Sequence, residues 1–140
     1  SNWSSDAVAG RVDSFQVLYG LDADGDRVPE RYVNATELGA LDAALVLAGA
    51  TPDERAADLR KRTHWKRVAL VRFALLLHGP RLDPGADADI AYDLFGPDHG
   101  AAFSTGDPGT RLAGAALDDG RAPRMRKVYG ATIALPVAPD

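Results

Sequence analysis

The chain holds 140 residues with a formal net charge of −4, 46% hydrophobic and 26% charged residues, and no cysteine. That composition suits one globular domain spanning 1–140 and excludes a disordered chain, a disulfide scaffold, a cysteine-based zinc site and thiol catalysis. The acidic balance also argues against a general nucleic-acid binder, which is usually basic. The longest clean apolar runs, Ala43–Ala50 and Phe73–Leu77, fall well short of the ~20 residues that a bilayer span needs. The opening Ser1-Asn2-Trp3 lacks Met, and residues 1–2 read as a protease-cleavage scar on a processed or engineered fragment.

Residues 12–19 alternate in a strand pattern that Gly20 is expected to end. Asp22-Ala23-Asp24-Gly25-Asp26 is a turn by composition, and Val28 to Ala35 can return as a second strand, making a hairpin. Leu38, Leu41, Leu45 and Ala48 follow helical spacing, which predicts a short helix over 38–50 with Gly49 at its end. Thr51-Pro52-Asp53-Glu54 is a helix start, with Thr as N-cap, Pro at the first position and Glu at the capping-box site. This second helix runs to about Lys61, with basic residues late, as the helix dipole favours.

Trp65 to Leu77 predicts a long central strand with one buried face, stopped by His78-Gly79-Pro80. Ile90–Phe95 predicts a short strand, and residues 96–123 read as loop. Arg124–Leu135 predicts the last strand, with Met125, Lys127, Tyr129, Ala131, Ile133 and Leu135 on one face. The fold class is α+β: strands dominate, a hairpin leads, and short helices sit in an insertion. A parallel βαβ sheet is not expected, because helices do not alternate with strands.

The sharpest chemical motif is Asp22-x-Asp24-Gly25-Asp26. Acidic oxygens at alternate positions of a turn can converge on Ca²⁺, which takes six to eight oxygen ligands. Asp22, Asp24 and Asp26, with Glu30 in a different geometry, are the candidate metal ligands. The match to an EF-hand loop fails where Arg27 stands in place of Gly and Val33 in place of the bidentate Glu. An acidic hairpin turn without an ion is therefore the preferred reading, and no cofactor is expected. His64, His78 and His99 lack zinc spacing, and Ser104 near Asp107 has no His placed as its base. Residues 53–72 carry seven Lys/Arg against three acids, and residues 79–109 carry six acids against Arg81. These opposite charges are expected to complement each other within one subunit or between neighbours. Asn34-Ala35-Thr36 is a glycosylation sequon.

The run from Val12 through Tyr19-Gly20-Leu21-Asp22-Ala23-Asp24-Gly25-Asp26 to Arg31-Tyr32-Val33-Asn34-Ala35 resembles the PilW-type minor pilins of type IV pili. Trp65, Val68 and Val71-Arg72-Phe73-Ala74-Leu75-Leu76-Leu77 fit the same family in the same order. So do Arg124-Met125-Arg126-Lys127-Val128-Tyr129 and Thr132-Ile133-Ala134-Leu135. The resemblance implies a bacterial, non-enzymatic pilin-like head: an antiparallel sheet from which the N-terminal hydrophobic helix is truncated. In that family the helix anchors the subunit in the inner membrane and later packs in the filament. The subunit joins other minor pilins and a tip adhesin to prime pilus assembly at the tip. The implied location is the inner membrane and periplasm, then the pilus at the cell surface. A J-type pseudopilin of type II secretion and a Ca²⁺-dependent surface binding module are the alternatives. Departures from the family are the insertion at 37–63 and the ending Leu135-Pro136-Val137 in place of Arg-Asn. The absence of Cys also forbids the C-terminal disulfide loop of many major pilins. Asp83–Asp98 and the 53–67 region are the expected contact surfaces.

Overall fold

A computed structural model describes residues 11–87, 90–97 and 109–136 of the chain. In order the elements are β1 (Val12–Leu21), β2 (Arg31–Val33), α1 (Ala35–Ala43), α2 (Pro52–Arg62), a 3₁₀ turn (His64–Arg67), β3 (Val68–Arg81), β4 (Ala91–Asp93), β5 (Arg111–Ala113), α3 (Gly114–Asp118) and β6 (Arg124–Ala134). The strands form a four-stranded sheet of order β2-β1-β3-β6 and a two-stranded antiparallel ribbon of β4 and β5. The α+β class expected from the sequence is what the chain adopts.

The described residues divide into two compact units. One contains 11–16, 74–87, 90–97 and 109–130; the other contains 17–73 and 131–136. The strands β1, β3 and β6 each contribute residues to both.

In the unit holding the helical insertion, the hairpin pairs Tyr19 with Val33, Gly20 with Tyr32 and Leu21 with Arg31. Strand β1 does not stop at Gly20. A Cβ at that position would lie 2.7 Å from the Pro29 ring, so Gly20 permits the close approach of the return chain instead of ending the strand. The second strand is shorter than expected, because Val28–Glu30 remain in the connecting loop. Leu21, Val33 and Leu38 form the buried cluster, with Tyr19, Leu41 and Val68 packed on it.

The first helix occupies 35–43, not 38–50. Its start is set by Asn34, whose side-chain oxygen accepts from the Glu37 amide while the Glu37 carboxylate accepts from the Asn34 amide. The sequon residue is thus an N-cap. Residues 44–50 leave the helix because the side chains of α2 take their backbone groups. Asp58 accepts from the Ala48 amide at 2.9 Å and Arg62 donates to the Val46 carbonyl at 2.7 Å. Helix α2 starts at the Thr51 cap, with Pro52 in its first turn and the Glu54 reciprocal bond in place. Trp65 sits in the 3₁₀ turn and not in the central strand, since Thr63 caps that turn through its hydroxyl.

In the other unit, β3 runs past His78-Gly79-Pro80 to Arg81. The His78 amide already donates to the Arg11 carbonyl, one residue before β1 begins. Residues 79–81 therefore lie beyond the first strand, where Pro80 leaves no ladder bond unmade. The expected loop over 96–123 contains, in its described part, both β5 and α3. Leu112 of β5 is buried and pairs with Tyr92, which organises a stretch whose glycines and alanines had suggested irregular chain. Ala74, Leu76, Leu94, Phe95 and Leu112 are buried apolar residues among the described part of this unit.

Candidate functional site

The loop between β1 and β2 is built by its own carboxylates. Asp22 accepts the Gly25 amide on one oxygen and the Arg27 amide on the other, each at 2.7 Å. Asp24 accepts from the Asp26 amide at 3.0 Å and Asp26 from the Val28 amide at 2.8 Å. Glu30 reaches back to the Ala23 amide at 2.7 Å. These are the local turns that Asp favours, repeated along one loop. Gly25 and Arg27 both take left-handed backbone, with φ of 83° and 71°. Arg27 thus adopts the conformation for which glycine is favoured, and its guanidinium donates to the Leu135 carbonyl.

The structure brings Asp22, Asp24, Asp26 and Glu30 together, with one carboxylate oxygen of each within 4.8 Å of the others. Asp22 is partly buried and the other three are exposed. Partial burial works against the charged form of Asp22, but the Arg27 and Gly25 amides outweigh it and hold its carboxyl below the usual range. Val33, where an EF-hand would carry its bidentate Glu, is 6% exposed within the apolar cluster and cannot reach the loop as a ligand. Chemically the cluster offers hard oxygen donors on four carboxylates, each of which accepts at least one backbone amide.

A cleft of about 590 Å³ lies against this loop, lined in part by Asp22, Asp24, Arg27, Trp65, Arg67 and Leu135. Trp65 is 44% exposed and meets Tyr19 edge-on, with ring centroids 4.9 Å apart. Below it, the Asp22 amide donates to the Arg67 carbonyl and fixes the loop to the 3₁₀ turn.

The histidines serve structure where they are described. His64 Nδ1 lies 2.7 Å from Asp42, whose other oxygen accepts from the Thr63 hydroxyl. His78 Nδ1 lies 2.9 Å from Asp13. Asp42 is held below the usual carboxylate range: burial opposes this, and the Thr63 and His64 donors prevail. His99, Ser104, Asp89, Asp98 and Asp107 lie outside the described residues. Of the acidic region, Asp93 pairs with Arg111 at 3.3 Å. Two of the four cations of α2 are held locally: Arg62 pairs with Asp58 at 3.0 Å and Arg55 donates to the Gly49 and Ala50 carbonyls.

Sequence reasoning missed one polar cluster entirely. Arg126 donates from Nε to Asp13 at 2.8 Å and from Nη2 to Asp118 at 2.7 Å. Its side chain is 2% exposed and that of Asp118 3%. Asp13 and Arg126 are 113 positions apart, and no spacing rule connects them.

Among the described residues no helix is long and apolar enough to cross a membrane. The family model described as Type IV Pilus-assembly protein W (PilW) matches residues 1–136. No curated protein and no solved structure matches the chain.

Proposed function

The chain belongs to the PilW family of type IV pilus-assembly proteins, and on that premise we propose that it is the globular head of a minor pilin. In this reading it is a structural subunit, not an enzyme, and contributes to priming the pilus at its tip by contacting other minor pilin heads and a tip adhesin. The family match over residues 1–136 carries the proposal. A membrane-anchoring helix upstream of the head would hold it in the inner membrane before assembly, and the assembled pilus would carry it to the cell surface.

The contact surfaces proposed for this role are the 53–67 region and Asp83–Asp98, of which Asp98 and the neighbouring Asp89 lie outside the described residues. Two features support the first. No residue of α2 is fully buried, and its last turn presents Arg60, Lys61 and Arg62. A helix that contributes so little to its own core is available to a neighbour. We further infer that the Asp22–Glu30 loop holds its shape without an ion, because backbone amides already engage each of its four carboxylates.

Co-purification of the head with separately expressed minor pilin heads and the tip protein tests the role. Binding that is lost in the Arg60→Glu, Lys61→Glu double variant is expected. Binding to type II pseudopilin heads in place of pilus minor pilins would move the assignment to a J-type pseudopilin. Failure to bind any of these partners would remove the priming role.

A further inference from the structure

Strand β6 closes one side of the four-stranded sheet, so among the described residues one of its edges has no strand beside it. Natural edge strands are usually short, broken by Pro or bulged, because an open row of N–H and C=O groups invites another strand. Strand β6 has 11 residues and no Pro. In its first half, Arg124–Tyr129, burial alternates: Arg124, Arg126 and Val128 are partly buried, while Met125, Lys127 and Tyr129 are exposed. The apolar face expected from the sequence is therefore the open one, with Met125 57% and Tyr129 47% exposed.

Two further observations describe what fits this edge. The first is shape: a groove of about 400 Å³ spans the paired strands β3 and β6 next to that edge, lined in part by Leu77, Gly79, Pro80, Met125, Lys127 and Tyr129. Recognition by strand addition draws on main-chain bonds along such an open edge. The second is charge. Between Gly120 and Pro136 the chain carries Arg121, Arg124, Arg126 and Lys127 and no acid. Arg126 is neutralised inside by Asp13 and Asp118. Arg121, Arg124 and Lys127 have no carboxylate partner among the described residues. The Arg124 guanidinium donates to the Gly79 carbonyl, and the Lys127 ammonium stands 5.2 Å from the Tyr129 ring centroid.

We propose that residues 124–129 of β6 are a strand-addition site for an acidic, extended segment of another protein, its carboxylates facing Lys127 and the neighbouring arginines. A second copy of this chain is a poor occupant of the same edge. Antiparallel self-pairing in the register centred on Lys127 sets Lys127 opposite Lys127, and like charges directly opposite are destabilising. The inference goes beyond the pilus role and does not depend on it.

The test uses synthetic nine-residue peptides and fluorescence anisotropy at low salt. One alternates Thr and Val with Glu, the second replaces Glu by Lys, and the third keeps the acids but carries two internal prolines. The acidic strand peptide is expected to bind at least about tenfold more tightly than either control, a difference of about 1.4 kcal/mol. Binding should slow amide exchange within 124–129. Lys127→Glu, at an exposed position, should reverse the preference between the acidic and basic peptides. Equal binding of the proline-broken acidic peptide would overturn the proposal, since charge alone would then suffice. So would no binding of the acidic peptide, or self-association of the chain through 124–129.

Discussion

Arg126 Nη2 lies 2.7 Å from Asp118 Oδ1, and neither side chain is more than 3% exposed. The same guanidinium reaches Asp13, and the second oxygen of Asp118 is buried with no hydrogen-bond partner among the described residues. One planar cation therefore bridges a buried carboxylate and a partly exposed one. Removing it leaves the buried Asp118 without its cation, while Asp13 keeps His78, and breaking a buried pair in this way typically costs about 3–5 kcal/mol. Arg126→Ala should lose that much in urea denaturation. Arg126→Lys should recover only part of it, because a single ammonium cannot reproduce the fork that spans Asp13 and Asp118.

The same cluster sets the response to acid. Burial opposes the charged form of Asp13, but bonds from Arg126 and His78 outweigh it and lower its titration. The Arg126 bond is the leading cause of the lowered value of Asp118. Groups lowered in the folded state contribute stability that is complete above their ordinary value of 3.8 and is lost as pH falls through the lower folded values. Stability measured from pH 7 downward should therefore hold until about 3.8 and then decline. The Asp13→Asn, Asp118→Asn double variant should start lower at neutral pH and show a flatter acid limb.

Much of this fold was legible because its signals are local. The Thr51-Pro52-Asp53-Glu54 start of α2 and the apolar run of β3 depend on neighbours in sequence, and both appear in the structure. The Asp22–Glu30 cluster was legible for the same reason, since Asx turns act over two to five residues. Residues 44–50 read as helix because their apolar spacing is visible, whereas the side chains of α2 that hold them in another conformation act from ten or more residues away. The Arg126 cluster joins residues brought together only by folding, and no periodicity announces it. In the last strand the alternation was legible but its sense was not: Met125, Tyr129 and Ile133 look like a core face and are about half exposed.

Asn34 offers a cleaner test of a local signal. Its side chain caps α1 by accepting the Glu37 amide at 2.8 Å, and the Glu37 carboxylate returns the bond at 2.7 Å. Loss of such a cap typically costs about 1 kcal/mol. Asn34→Ala should be destabilised by that amount in chemical denaturation, and Asn34→Asp, which keeps the accepting oxygen, should stay near the parent.

The four converging carboxylates invite a direct ion titration. With each oxygen cluster held by backbone amides, isothermal calorimetry with Ca²⁺ is expected to show no saturable heat for the parent chain or for Asp24→Ala. A saturable heat in the parent that Asp24→Ala abolishes would establish a cation site formed by Asp22, Asp24, Asp26 and Glu30.

Arg27 separates backbone strain from side-chain bonding within that loop. Its φ of 71° places an L-residue in the left-handed region, while its guanidinium donates to the Leu135 carbonyl. Arg27→Gly relieves the first and removes the second, so its net effect is small. Arg27→Ala removes the bond and keeps the strain. The two variants share the lost guanidinium, so their difference reports the backbone alone. A left-handed conformation costs an L-residue roughly 1–2 kcal/mol, offset in part by glycine's greater freedom when unfolded. Arg27→Gly should therefore be more stable than Arg27→Ala by about 1 kcal/mol in denaturant midpoint measurements. Equal stability would mean that the loop relaxes out of the left-handed turn once the arginine is gone.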